Sequence, residues 1–141
     1  MRREPDVDNR MLGWAAALSL ALIGPAVADE SDWAGLYKGL DALDGSVDYL
    51  SIAPSGEDRF DIRIVPSVIS LCDNGRGWIV AEGKLTEGNR LHRYNAQVIC
   101  DGAEPVALDD RFLVRDARSG IVRFEASDDR RPLIYHRIST P

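Results

Sequence analysis

Two histidines, two cysteines and a few serines and aspartates are the residues of this chain that could do chemistry. His92 and His136 each stand beside an aromatic residue, Tyr94 and Tyr135. General acid–base work or metal ligation would need one of them to converge on a carboxylate, and nothing in their spacing demands it. Ser55, Ser67 and Ser119 fall in turn sequences, and none has the Gly-x-Ser-x-Gly surround that exposes a nucleophile on a sharp turn. Asp41, Asp44 and Asp48 crowd around Gly45, but a calcium loop needs D-x-D-x-D-G with a later bidentate Glu, and that pattern is missing. Glycines occur singly in turns, so no phosphate cradle is visible. The chain therefore reads as a non-enzyme with no cofactor and no metal site.

Cys72 and Cys100 lack the CxxC spacing of a metal knuckle. In an exported small domain an even pair is most simply one disulfide, and closing a loop of this length contributes roughly 3–4 kcal/mol in the chain-entropy model. Export is read from Met11 to Ala28, an apolar run closed by Ala26-Val27-Ala28 before Asp29-Glu30. Gly24-Pro25 interrupts that run, and small residues occupy the positions a signal peptidase needs. Residues 1–28 are thus expected to be a signal peptide cleaved after Ala28, leaving no stable membrane span and a periplasmic or secreted protein. Taking 28 from 141 leaves 113 residues, 29–141, enough for one domain. The net charge of −6 disfavours binding nucleic acid or an anionic membrane through bulk charge.

From Trp33 onward apolar residues recur at every second position, the period of half-buried strands. Gly35 to Leu40 reads as the first strand, ended by the Asp41 to Gly45 turn. Val47 to Ala53 follows, with a turn at Pro54-Ser55-Gly56. Arg59 to Pro66 puts Phe60, Ile62 and Ile64 on one face, and Ser67 to Cys72 continues it or forms a short strand. After the Asp73 to Gly77 turn, Trp78 to Leu85 and Leu91 to Cys100 form a hairpin closed at Glu87-Gly88-Asn89. In the latter strand strict alternation groups His92, Tyr94, Ala96, Val98 and Cys100 on one face and Arg93, Asn95 and Gln97 on the other. Val106 to Arg115, interrupted at Asp109-Asp110, Ile121 to Ala126 and Leu133 to Ser139 complete eight strands.

Such strands with short connections can close as an antiparallel up-and-down barrel or fold as a β-sandwich; the barrel is favoured because closure leaves no exposed sheet edge. In a meander the strands ending at Cys72 and Cys100 flank the one from Trp78. Their bridge must cross that middle strand, which requires Cys72 to lie in the loop beyond it, because the α-carbons must approach within about 7 Å.

Trp33-Ala34-Gly35-Leu36-Tyr37 near the start and Tyr135-His136-Arg137 near the end resemble the two ends of a calycin, the superfamily of lipocalins, fatty-acid-binding proteins and avidins. In those families a Gly-x-Trp on the first strand packs beneath an Arg of the last. Gly35 matches the glycine and Arg137 the arginine, while Tyr37 stands where the family has Trp. The resemblance implies that Trp33, Gly35, Tyr37 and Arg137 close one end of the barrel. Gly39 to Ser46, followed by a strand, also resembles small exported bacterial proteins.

Two functions follow as expectations. The first is a binding protein whose barrel holds a small apolar ligand, with His92, Tyr94 and His136 as ligand-facing candidates. It requires an interior not wholly filled by Phe60, Ile62, Ile64, Tyr94 and Phe124. The second is a protein-interaction module, such as an inhibitor of an exported enzyme or an envelope-assembly component. An exposed apolar patch around Trp33, Leu36 or Trp78 would favour that one.

Overall fold

A computed structural model describes residues 30–40, 45–125 and 133–140. The expected signal peptide, the Asp41 to Asp44 part of the first turn and the Asp128 to Pro132 turn lie outside the described residues. One helical turn, α1 (Glu30–Trp33), precedes nine strands: β1 (Gly35–Leu40), β2 (Val47–Gly56), β3 (Arg59–Val65), β4 (Gly77–Thr86), β5 (Arg90–Cys100), β6 (Val106–Ala107), β7 (Arg111–Arg115), β8 (Val122–Phe124) and β9 (Ile134–Ser139). Four residues are too few for α1 to show any periodicity in the sequence.

The strands form one antiparallel sheet in which, β6 apart, chain neighbours are sheet neighbours, and β1 pairs with β9 to close it. The result is an eight-stranded up-and-down barrel, with the two-residue β6 added beside β5, and the sandwich alternative does not arise. Closure satisfies every ladder that an open sheet would leave at its edges. The interior is filled by the alternating residues of the strands: Tyr37, Leu50, Ile52, Phe60, Ile62, Leu91, Leu113, Val122 and Tyr135 are each at most 2% exposed.

Three local expectations are corrected. The turn at Pro54-Ser55-Gly56 is instead strand, because a bulge between Pro54 and Gly56 accommodates the proline and the chain reverses at Glu57-Asp58, where Asp58 takes φ 55°. Ser67 to Cys72 is a loop, not a strand. Pro66 cannot donate to the ladder, and the segment bonds to itself instead, Ile69 N–H to Gly75 C=O at 3.0 Å and Gly75 N–H to Cys72 C=O at 2.8 Å. The face assignment along β5 is half wrong. Val80 pairs with Gln97 and Glu82 with Tyr94, so Asn95 and Ala96 together oppose Ala81 in a bulge. Asn95 adopts φ 50° and donates its side-chain amide to Glu82 at 2.7 Å. Beyond it Ala96, Val98 and Cys100 point inward as expected, but before it Leu91 and Arg93 point inward while His92 and Tyr94 face outward.

The Cys72–Cys100 disulfide is present, with α-carbons 5.5 Å apart. It crosses the middle strand at Gly77, which pairs with Cys100. A β-carbon on Gly77 would stand 2.7 Å from Cys72 Sγ and 2.5 Å from the Ile99 carbonyl oxygen, so only a residue without a side chain lets the bridge pass. Ile69, Val98 and the two half-cystines form a small apolar cluster beneath it.

Candidate functional site

The two ends of the barrel differ. At the end carrying α1, Trp33 is fully buried, and its backbone carbonyl accepts a hydrogen bond from the Tyr37 hydroxyl at 2.7 Å. Arg137 donates to that same hydroxyl from Nη2 at 2.9 Å and from Nε at 3.3 Å, and from Nη2 to the Asp32 carbonyl. Its guanidinium carbon lies 5.3 Å from the Tyr37 ring centroid. Gly35 leaves room for this side chain, since a β-carbon there would come within 3.3 Å of Arg137 Nε and 2.8 Å of the Ser139 carbonyl oxygen. Trp33, Gly35, Tyr37 and Arg137 therefore meet at one end of the barrel.

The opposite end holds a cavity of about 310 Å³. Its apolar wall comprises Ile64, Ile79, Leu108, Phe124 and Leu133, and its polar groups come from Asp48, Arg93, Asp109, Arg111 and Tyr135. The volume falls at the lower end of the roughly 300–1,000 Å³ typical of small-molecule sites. Arg93 enters the interior because of the Asn95 bulge. It is 4% exposed and the only buried charged residue among the described ones. Its Nη2 donates to the Asp109 carbonyl at 2.6 Å, its guanidinium lies 5.4 Å from the Phe124 centroid, and its Nε has no hydrogen-bond partner.

Burial, and then the neighbouring Arg111, depress the Arg93 pKa, while Asp110, Tyr135 and Asp109 act the other way. The Tyr135 phenol is pushed upward, first by burial and then by Asp48, so it keeps its proton and can serve as a donor. Asp48 also accepts from the Ser67 N–H at 3.4 Å, tying the loop after β3 to the start of β2.

The three candidates assigned to face a ligand do not line this cavity. His92 and Tyr94 lie on the outer face of β5, and His136 is exposed on β9. His92 stacks on Phe112 with centroids 4.9 Å apart, and its Nε2 is 3.2 Å from Asp110 Oδ2. That His–carboxylate pair is solvent-facing, with 32% and 57% of the two side chains exposed, and it sits outside the cavity. Of the residues expected to fill the interior, Phe60, Ile62 and Ile64 do so, Phe124 is half-buried at the cavity wall, and Tyr94 is outside. Sequence reasoning missed Arg93, Arg111 and Tyr135. The one signal that could have found Arg93 is an asparagine in mid-strand, a residue type that tolerates the left-handed conformation a bulge requires.

The fold and this site define a closed all-β barrel plugged at one end and open at the other, an architecture compatible with a calycin-like fold. Compared with known protein families, with curated proteins and with solved structures, the chain matches none. Among the described residues no helix is long and apolar enough to cross a membrane, and no group of His, Cys, Asp and Glu is arranged to hold a metal ion.

Proposed function

We propose that this is an exported binding protein of calycin-like architecture that takes a small ligand into the open end of its barrel. The observation that carries the reading is the asymmetry of the ends: Trp33 and Arg137 fill one, while the other keeps about 310 Å³ between apolar walls and convergent polar groups. The apolar wall supplies affinity by burial, at about 25 cal/mol per Å² removed from water, and the polar groups fix orientation. Export is supported by the apolar Met11 to Ala28 run and by a disulfide, which persists in oxidising compartments. The reading is of binding rather than catalysis, and the solvent-facing His92–Asp110 pair, neither member of which lines the cavity, fits it.

Amide-resolved NMR of the mature protein against a fragment library tests this. Expected are shifts confined to Leu108, Asp109, Arg111, Phe124 and Leu133. A library that leaves all of them unmoved, together with native mass spectrometry of host-purified protein showing only the bare chain, would refute it.

A second reading, a protein-interaction module, is favoured by one observation. Tyr49 and Val65 pair across β2 and β3 on the outer face with 41% and 43% exposed, and the next loop presents Val68 and Leu71 at 69% and 56%. Of the residues expected to mark such a patch, Trp33 is buried, Leu36 is 36% exposed and Trp78 is half-buried beneath Arg63. Co-purification of one stoichiometric partner, abolished by Val65→Glu, is the outcome that reading requires.

A further inference from the structure

The barrel mouth contains a buried cation whose hydrogen-bonding capacity its own surroundings leave unmet. The Asp109 and Asp110 carboxylates act on it through their charge, but both residues are exposed and Asp110 pairs with His92. Arg93 is 4% exposed, and the hydrogen bond it makes there goes to a neutral backbone carbonyl, that of Asp109. Its Nε is buried with no acceptor at all. Arg90 Nε and Arg115 Nε are unmet too, but those residues are not among the cavity lining. In Arg93 the unmet donor belongs to a side chain that lines the cavity, where leaving it so is costly.

A second, independent observation concerns Arg111. It stands directly opposite Arg93 in the β5–β7 ladder, and both line the cavity. Like charges directly opposite one another destabilise a sheet unless something of opposite sign lies between them. The two acids that share the lining are placed differently: Asp109 is exposed, and Asp48 sits at the start of β2 engaged with Ser67. A cationic ligand would be repelled by buried Arg93 and by Arg111 at the exposed rim, whereas an anion would meet both with donors available. The Tyr135 hydroxyl adds a further protonated group to the lining.

We propose, resting on the reading of the mouth as a ligand site, that its ligand is a compact organic carboxylate. The acid group is bound by Arg93 and Arg111, and an aromatic or branched apolar body lies against Phe124, Leu108 and Ile79. A planar guanidinium matches a carboxylate with paired N–H donors. A volume of about 310 Å³ favours a single ring or short branched chain over a long acyl tail.

Calorimetric titration of the mature, disulfide-bonded protein with phenylacetate and with its uncharged analogue phenylacetamide tests the assignment. The acid is expected to bind at least about 10-fold more tightly than the amide, the size of a charge-assisted hydrogen bond. Arg93→Met should reduce that preference to within about 3-fold. Arg111→Met, at an exposed position, should lower it as well and serves if the first variant does not fold. Equal binding of acid and amide would overturn the carboxylate assignment and leave the mouth standing as a neutral site. Failure of both probes while apolar fragments still shift the mouth residues would do the same. Failure of every probe and fragment would remove the ligand-site reading itself.

Discussion

Arg93 and Ala96 stand three residues apart on β5, yet both point into the barrel. Strict alternation forbids that, and the bulge at Asn95 between them permits it by inserting one residue opposite Ala81. The polar character of the mouth thus depends on a backbone irregularity. Asn95→Gly, which keeps the left-handed conformation available, is expected to leave stability within about 0.5 kcal/mol. Asn95→Val is expected to lose about 1–2 kcal/mol, because a β-branched residue resists positive φ. Urea denaturation distinguishes them, and a Val variant as stable as the parent would show that the bulge does not need its asparagine.

Gly77 is the gap through which the disulfide crosses β4. Gly77→Ala sets a methyl group against Cys72 Sγ and the Ile99 carbonyl, and an overpacking cost of about 1–3 kcal/mol is expected. Removing both sulfurs in Cys72→Ser/Cys100→Ser should itself cost about 3–4 kcal/mol by freeing the unfolded chain. In that background Gly77→Ala should cost less than in the parent. A double-mutant cycle by chemical denaturation measures the coupling, and full additivity would contradict the crossing geometry.

At the plugged end the Tyr37 hydroxyl links three elements, accepting from Arg137 on β9 and donating to Trp33 at the end of α1. Tyr37→Phe preserves the ring and removes the link. A loss of about 1–2 kcal/mol is expected, since a buried carbonyl and a guanidinium each lose a partner. Trp33 fluorescence should shift to longer wavelength as α1 loosens. An unchanged spectrum with unchanged stability would mean that the plug is held by packing alone.

Acid stability should depend on Asp116, whose carboxylate accepts from Ser119 N–H at 2.7 Å, Ser119 O–H at 2.9 Å and Arg118 N–H at 3.0 Å. These bonds, the Ser119 backbone bond foremost, lower its pKa in the folded protein. A depressed carboxylate contributes stability above its unfolded value, about 3.9, and loses that contribution as pH falls through the folded value. Asp116→Asn should therefore be less stable than the parent at neutral pH and show a shallower decline below about pH 4. Parallel pH–stability curves for the two proteins would remove Asp116 as a contributor.

The sequence by itself determined the barrel. Alternation from Gly35 onward, turn residues at Glu87-Gly88-Asn89 and the interruption at Asp109-Asp110 place the strands, because a period of two and the chemistry of tight turns are local properties. Simple strand order even required the disulfide to cross β4. Only the tertiary structure decided where that crossing is allowed, at Gly77, and which side of β5 faces inward. A single inserted residue reverses the facing of everything on one side of it, and alternation cannot reveal on which side the reversal falls. Arg93, Arg111 and Tyr135 therefore stayed hidden while His92 and Tyr94 looked internal. The first three lie on β5, β7 and β9, within one continuous run of the sheet, and it is the ladders along this run, with the bulge turning Arg93 inward, that bring them to one cavity.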